Sequence, residues 1–108
     1  MPTAARVARN ESLYREVNER ILELEESFGE RDAEHALASF VCECAATGCA
    51  TRVELGLDEY RLARAKPERF LVAPDHVHLD FERVVLTTDR FWLIEKFGEA
   101  GEIAAAEA

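Results

Sequence analysis

Cys42-Glu43-Cys44-Ala45-Ala46-Thr47-Gly48-Cys49 holds all three cysteines of the chain within eight residues. An odd count leaves one thiol unpaired, and Cys42 and Cys44 are too close in sequence for an unstrained disulfide, so cross-linking explains the cluster poorly. Metal ligation explains it better. Zinc takes four ligands in a tetrahedron with sulfur at about 2.3 Å, and neighbouring cysteines reach one ion only where the backbone turns sharply. Gly48 supplies a turn-permitting residue directly before Cys49, and amides turned inward there would donate to thiolate sulfurs.

Three thiolates leave one corner for a fourth ligand, and the histidines are His35, His76 and His78. His76 is favoured. It follows an apolar strand that stops at Pro74, whose fixed φ stiffens the turn, and Asp75 stands beside it to orient an imidazole. His78 is the reserve, and His35 is disfavoured because it lies in the alanine-rich segment 30–38, which reads as a linker or a short helix. A site of Cys42, Cys44, Cys49 and His76 around Zn2+ would carry one net negative charge. Three sulfurs make the ion a weak Lewis acid, and a closed tetrahedron leaves no place for water, so the expected zinc is structural.

Outward from this segment, Phe40-Val41 reads as a strand entering Cys42 and Val53-Glu54-Leu55 as a strand leaving it, joined by the zinc knuckle. Leu57 to Ala65 has Asp58 and Glu59 in its first turn, Arg61 and Arg64 in its last and Pro67 beyond, which are helix start and stop signals. Phe70 to Ala73 is a short apolar strand. Val84-Val85-Leu86 and Phe91-Trp92-Leu93-Ile94 flank Thr87-Thr88-Asp89-Arg90 as a hairpin. Upstream, Leu13, Val17, Ile21, Leu24 and Phe28 stay within an arc of roughly 80° on a helix, a narrow apolar stripe expected to pack on the protein's own sheet or, alternatively, to form a partner-helix seam. Asn10 is the expected N-cap and Gly29 the stop.

The predicted fold is therefore α+β: a long N-terminal helix packed on a small antiparallel sheet, with a zinc knuckle and a short second helix. Residues 1–9 are expected to be a flexible arm, 10–97 a single zinc-binding domain and 98–108, rich in Gly and Ala without a stripe, a flexible tail, frayed or weakly helical.

The 108 residues suit one domain. With 13 Lys+Arg against 22 Asp+Glu, the net charge of −9 repels phosphate backbones and anionic lipid. No nucleic-acid or membrane partner is expected, and the absence of an apolar leader or span suggests a cytoplasmic protein. His76-Val77-His78-Leu79-Asp80 matches the opening of a metallo-β-lactamase motif, but the remaining ligands of that fold are missing. Asp58-Glu59 and Glu25-Glu26 read as solvated surface. The basic patch Arg61, Arg64, Lys66 and Arg69 is expected to salt-bridge to the acidic first helix or to meet an acidic partner.

The run FVCECAATGCATRVELGLDEYRLARAKPERFLVAPDH, residues 40–76, resembles small, largely uncharacterised bacterial proteins from GC-rich genomes. In them an F-x-C-E-C…C segment precedes a strand, an L-x-x-x-E-Y helix and an R-F-x-V-A-P-x-H strand end. The similarity extends over most of the chain and implies that Cys42, Cys44, Cys49 and His76 form one functional set, with no activity attached. The leading expectation is a zinc-stabilised regulatory or protein-interaction module, the second a zinc-thiolate redox switch and the third a metal-dependent enzyme. No nucleophile with a base beside it stands out to support the last, and no catalytic residues are assigned.

Overall fold

The computed structural model describes residues 4–27, 37–44 and 49–106. Helix α1 (Ala4–Ser27) precedes strand β1 (Ala38–Val41), strand β2 (Arg52–Leu55), helix α2 (Leu57–Ala63), strands β3 (Arg69–Val72), β4 (Glu82–Thr87) and β5 (Trp92–Lys96), and helix α3 (Gly98–Ala106). The architecture is α+β as expected, with the antiparallel strands divided between two sheets. The hairpin β1-β2 pairs Phe40 with Val53, and the second sheet has the order β3-β5-β4.

Each boundary has a local cause. Glu59 caps α2 by accepting the Gly56 N–H at 2.8 Å. The β4-β5 hairpin closes around Thr88, whose Oγ1 accepts the Phe91 N–H at 2.9 Å, and the pairing of Thr87 with Trp92 moves its loop one residue beyond the expected Thr87–Arg90. β5 is central, so Leu93, Ile94, Glu95 and Lys96 are all buried rather than alternating. The two charged members are neutralised in place. Glu95 accepts from Arg69 Nη2 at 2.9 Å, and Lys96 Nζ donates to Glu82 Oε2 at 2.8 Å, both of the latter side chains being fully inside.

The core joins the two sheets. Phe40 stacks on Tyr60 with centroids 4.5 Å apart, and Phe70, Leu71, Val72, Phe91, Leu93 and Ile94 fill the space beside them. Burying large side chains of this kind contributes about 1.5–3 kcal/mol each.

The first helix differs from expectation in two ways. It begins by Ala4, ahead of Asn10, so Asn10 is an interior residue; the stretch AARVAR is built largely of strong helix formers. It also packs through a different face. Leu13, Val17 and Leu24 are exposed at 58%, 43% and 55%, Ile21 alone of the described stripe meets the core, and Arg15 and Asn18 are buried. The inward midline of Arg15, Asn18 and Leu22 lies roughly 150° around the axis from the exposed leucines and valine. The reason is polar. Asn18 Nδ2 donates to the Val41 carbonyl at 2.7 Å while its Oδ1 accepts the Val41 N–H at 2.8 Å. Arg15 donates to the Pro67 carbonyl and covers the Phe70 ring at 4.9 Å. Phe28, Gly29 and the 30–36 segment lie outside the described residues.

The glycine-rich end is helical, and its glycines have positional work. Gly98 takes φ +63 in the turn out of β5. A Cβ on Gly101 would stand 2.9 Å from the Lys96 carbonyl, so the absence of a side chain lets α3 close on that strand end.

Candidate metal centre

Four side chains from three places in the sequence converge where the two sheets meet. Cys42 and Cys44 follow β1, Cys49 precedes β2, and His76 lies in the turn after β3; one ligand atom from each falls within 4.8 Å of the others. The cysteines are free thiols. This set is close enough to hold a metal ion. His78 stands outside it, its backbone N–H donating to Glu82 Oε1 at 2.8 Å and its ring tilted against Phe81. His35 and Gly48 lie outside the described residues.

The turn that delivers His76 is built by Pro74 and Asp75. The His76 N–H donates to the Ala73 carbonyl at 3.0 Å, and Asp75 has φ +72. Proline at the second position and a left-handed third residue define a type II turn, and aspartate is among the few side chains that tolerate that φ. Asp75 thus serves the site through its backbone.

His76 Nδ1 lies 3.5 Å from Cys42 Sγ and 3.7 Å from Cys49 Sγ. A ring nitrogen has one proton or one lone pair in the ring plane, so it cannot make a good hydrogen bond to both sulfurs. A zinc tetrahedron with sulfur at about 2.3 Å and nitrogen at about 2.0–2.1 Å has a sulfur–nitrogen edge of about 3.5 Å. The two separations match such an edge. Around the sulfurs, the Ala73 N–H donates to Cys42 Sγ at 3.2 Å, and Thr51 Oγ1 lies 3.5 Å from Cys49 Sγ. With no cation, the Cys42 thiol is pushed far above its ordinary range, first by its contact with the Cys44 thiol and then by burial, against the pull of the Ala73 amide. A divalent ion reverses that balance, because coordination deprotonates the thiol.

Glu43, between two of these cysteines, is the group that the sequence reading left without a role. Alternation sends its side chain away from the sulfurs and into the protein, where it is fully buried. Its Oε2 accepts from Asn18 Nδ2 at 2.8 Å and from the Tyr60 hydroxyl at 2.7 Å, and its Oε1 accepts the Leu71 N–H at 2.8 Å. Arg64 Nη2 stands 3.6 Å from Oε1. The Glu43 N–H donates to the Leu71 carbonyl at 2.7 Å, so backbone and side chain together occupy both hydrogen-bonding groups of Leu71, as a neighbouring strand would. Burial raises the Glu43 pKa, opposed by Arg64, Asn18, Tyr60 and the Leu71 amide in that order. The cysteine segment is thereby fixed to α1, α2 and β3. The C-E-C spacing places Glu43 opposite the two sulfurs, and only the assembled fold makes that side interior.

The basic patch is paired with acidic side chains of the same molecule. Arg61 pairs with Glu26 and Arg64 with Glu19, both on α1, while Arg69 and Lys66 meet Glu95. No helix among the described residues is long and apolar enough to cross a membrane. Comparison with protein-family models, curated proteins and solved structures finds no match.

Proposed function

We propose that this chain is a small zinc-binding protein whose ion, held by Cys42, Cys44, Cys49 and His76, is structural, and that the domain so fastened engages another protein. The observation that carries the zinc reading is the placement of two sulfurs at 3.5 and 3.7 Å from one imidazole nitrogen. Sulfur-rich tetrahedral sites favour zinc or iron over magnesium, calcium and manganese, and zinc is the one of the two without redox chemistry of its own. Four protein ligands and three thiolates suit a scaffold rather than a site that activates water. The ion would fasten the β1-β2 hairpin to the end of β3, adding to the links that Glu43, the core and the Arg90 bond to the Glu54 carbonyl already make between the two sheets. An apparent binding free energy on the order of 10 kcal/mol is as large as the whole net stability of such a domain, so the metal-free chain would be largely unfolded.

The interaction reading is supported by the outer face of α1, where Leu13, Val17 and Leu24 are exposed beside Glu16 and Glu23. A net charge of −9 disfavours a nucleic acid as the partner. Metal analysis of protein purified without added zinc tests the first part: one zinc per chain, lost on Cys49→Ser, is expected, and a ratio near zero in reducing buffer overturns it. For the second, Ser at positions 13, 17 and 24 together should cost folding stability no more than about 1.5 kcal/mol, about 0.5 for each surface residue. A larger loss would make the stripe part of the fold.

A further inference from the structure

The three sulfurs are unequally sheltered. Cys42 and Cys44 are 0% and 4% exposed, whereas Cys49 is only half-buried and is followed by the exposed Ala50. The Cys42 sulfur also receives the Ala73 N–H at 3.2 Å, a bond that withdraws charge from a thiolate. Cys49 has the Thr51 hydroxyl 3.5 Å from its sulfur. Within the site it is the sulfur that an agent from solvent reaches first.

We infer that Cys49 is an oxidation site, the sulfur at which a peroxide opens the metal centre. The inference rests on the zinc reading above. A zinc-bound thiolate keeps its nucleophilic lone pairs, and reactive cysteines are those that combine thiolate character with exposure. Cys49 Sγ attacks one peroxide oxygen, the O–O bond breaks, and Cys49 sulfenic acid and hydroxide result. The thiolate of Cys42 or Cys44, each with its sulfur within 4.8 Å, then attacks the Cys49 sulfur. The S–O bond breaks, a second hydroxide leaves and a disulfide forms. Two electrons pass from two thiolates to one peroxide, and two protons from solvent convert the hydroxides to water. A disulfide of about 2.05 Å cannot span a tetrahedral sulfur–sulfur edge of about 3.8 Å. One thiolate and His76 remain, too few to keep the ion, and zinc leaves.

The test uses the full-length zinc-loaded protein. Limiting iodoacetamide followed by peptide mapping should label Cys49 roughly tenfold faster than Cys42 or Cys44; equal labelling, or buried sulfurs first, overturns the inference. Hydrogen peroxide should release one zinc with the loss of two thiols, give a disulfide that includes Cys49, and be reversed by dithiothreitol with added zinc. The Cys49→His variant preserves four ligands and should hold zinc while resisting peroxide, and release as fast as from wild type overturns the inference. Zinc that is bound and stays bound under peroxide defeats this inference alone, whereas a chain that carries no zinc beforehand defeats the zinc reading as well.

Discussion

Replacing Glu43 by Gln exchanges one oxygen for an NH2 group in a carboxylate that accepts three hydrogen bonds and faces Arg64. The amide oxygen can still serve Asn18 and Tyr60, but the new NH2 then points at the Leu71 N–H, donor against donor. Leaving that buried amide unsatisfied costs about 1–3 kcal/mol. Removing the negative charge also takes away the nearer of the two carboxylates that face the partly buried Arg64, leaving Glu19 at 4.0 Å, and Arg64 Nε already lacks a hydrogen bond. The two effects together predict a loss of about 3 kcal/mol, toward the lower end of what breaking a buried ion pair produces. Glu43→Ala, which removes every bond and leaves a void, should lose more. The assay is urea unfolding of the zinc-loaded protein, with an unchanged slope confirming that the same surface unfolds. Zinc affinity should fall with stability, by roughly 10–100-fold, as for other groups that orient ligands from behind. A Gln variant within about 0.5 kcal/mol of wild type would refute the assignment of Glu43 as the anchor of the cysteine segment.

Three further outcomes follow from the same geometry. His76→Ala should abolish stoichiometric zinc, whereas His78→Ala should retain it; metal analysis of the two purified variants decides between the histidines. Asp75→Gly should fold as well as wild type, while Asp75→Val should lose about 1–2 kcal/mol by placing a β-branched residue at φ +72, measured by thermal or urea unfolding. Lys96→Met leaves Glu82 buried without its cation, and burial already raises Glu82 from 4.5 to about 7. A raised folded-state pKa contributes stability that is present below the unfolded value and lost as pH climbs through the folded one. Wild type itself loses that contribution between about pH 4.5 and about pH 7; without Lys96 the folded value of Glu82 rises further, so the variant should keep weakening relative to wild type above about pH 7, and a pH-independent difference would argue against the pairing.

The strand-forming runs around Phe40, Val53, Phe70, Val84 and Leu93 were legible because short apolar runs bounded by turn residues leave few alternatives. His76 was legible through Pro74, which marks the end of β3. The inward face of α1 was not. Hydrophobic periodicity ranks faces by apolar content, and here Asn18 and Arg15 outcompete Leu13 and Leu24 because their polar atoms find buried partners that exist only in the folded molecule. Glu43 was hidden for the same reason: a carboxylate in a string of residues looks solvated until its donors, spread over residues 18 to 71, are assembled around it. The terminal glycines misled in the opposite sense, suggesting looseness where Gly98 and Gly101 set a turn and a close approach.

The long helix meets β1 through directional contacts, and this has a mechanical meaning. Asn18 holds the backbone of Val41 and the carboxylate of Glu43, the residues on either side of Cys42. Greasy contacts tolerate slippage, but an amide seated on two neighbours does not. Turning the helix by a single residue, about 100°, would unseat it and release the sulfur of Cys42 from its frame. A partner that gripped the outer ridge of α1, as proposed above, would then either preserve that seating or loosen the hold on a bound ion, and by reciprocity a bound ion would set how firmly the ridge is presented.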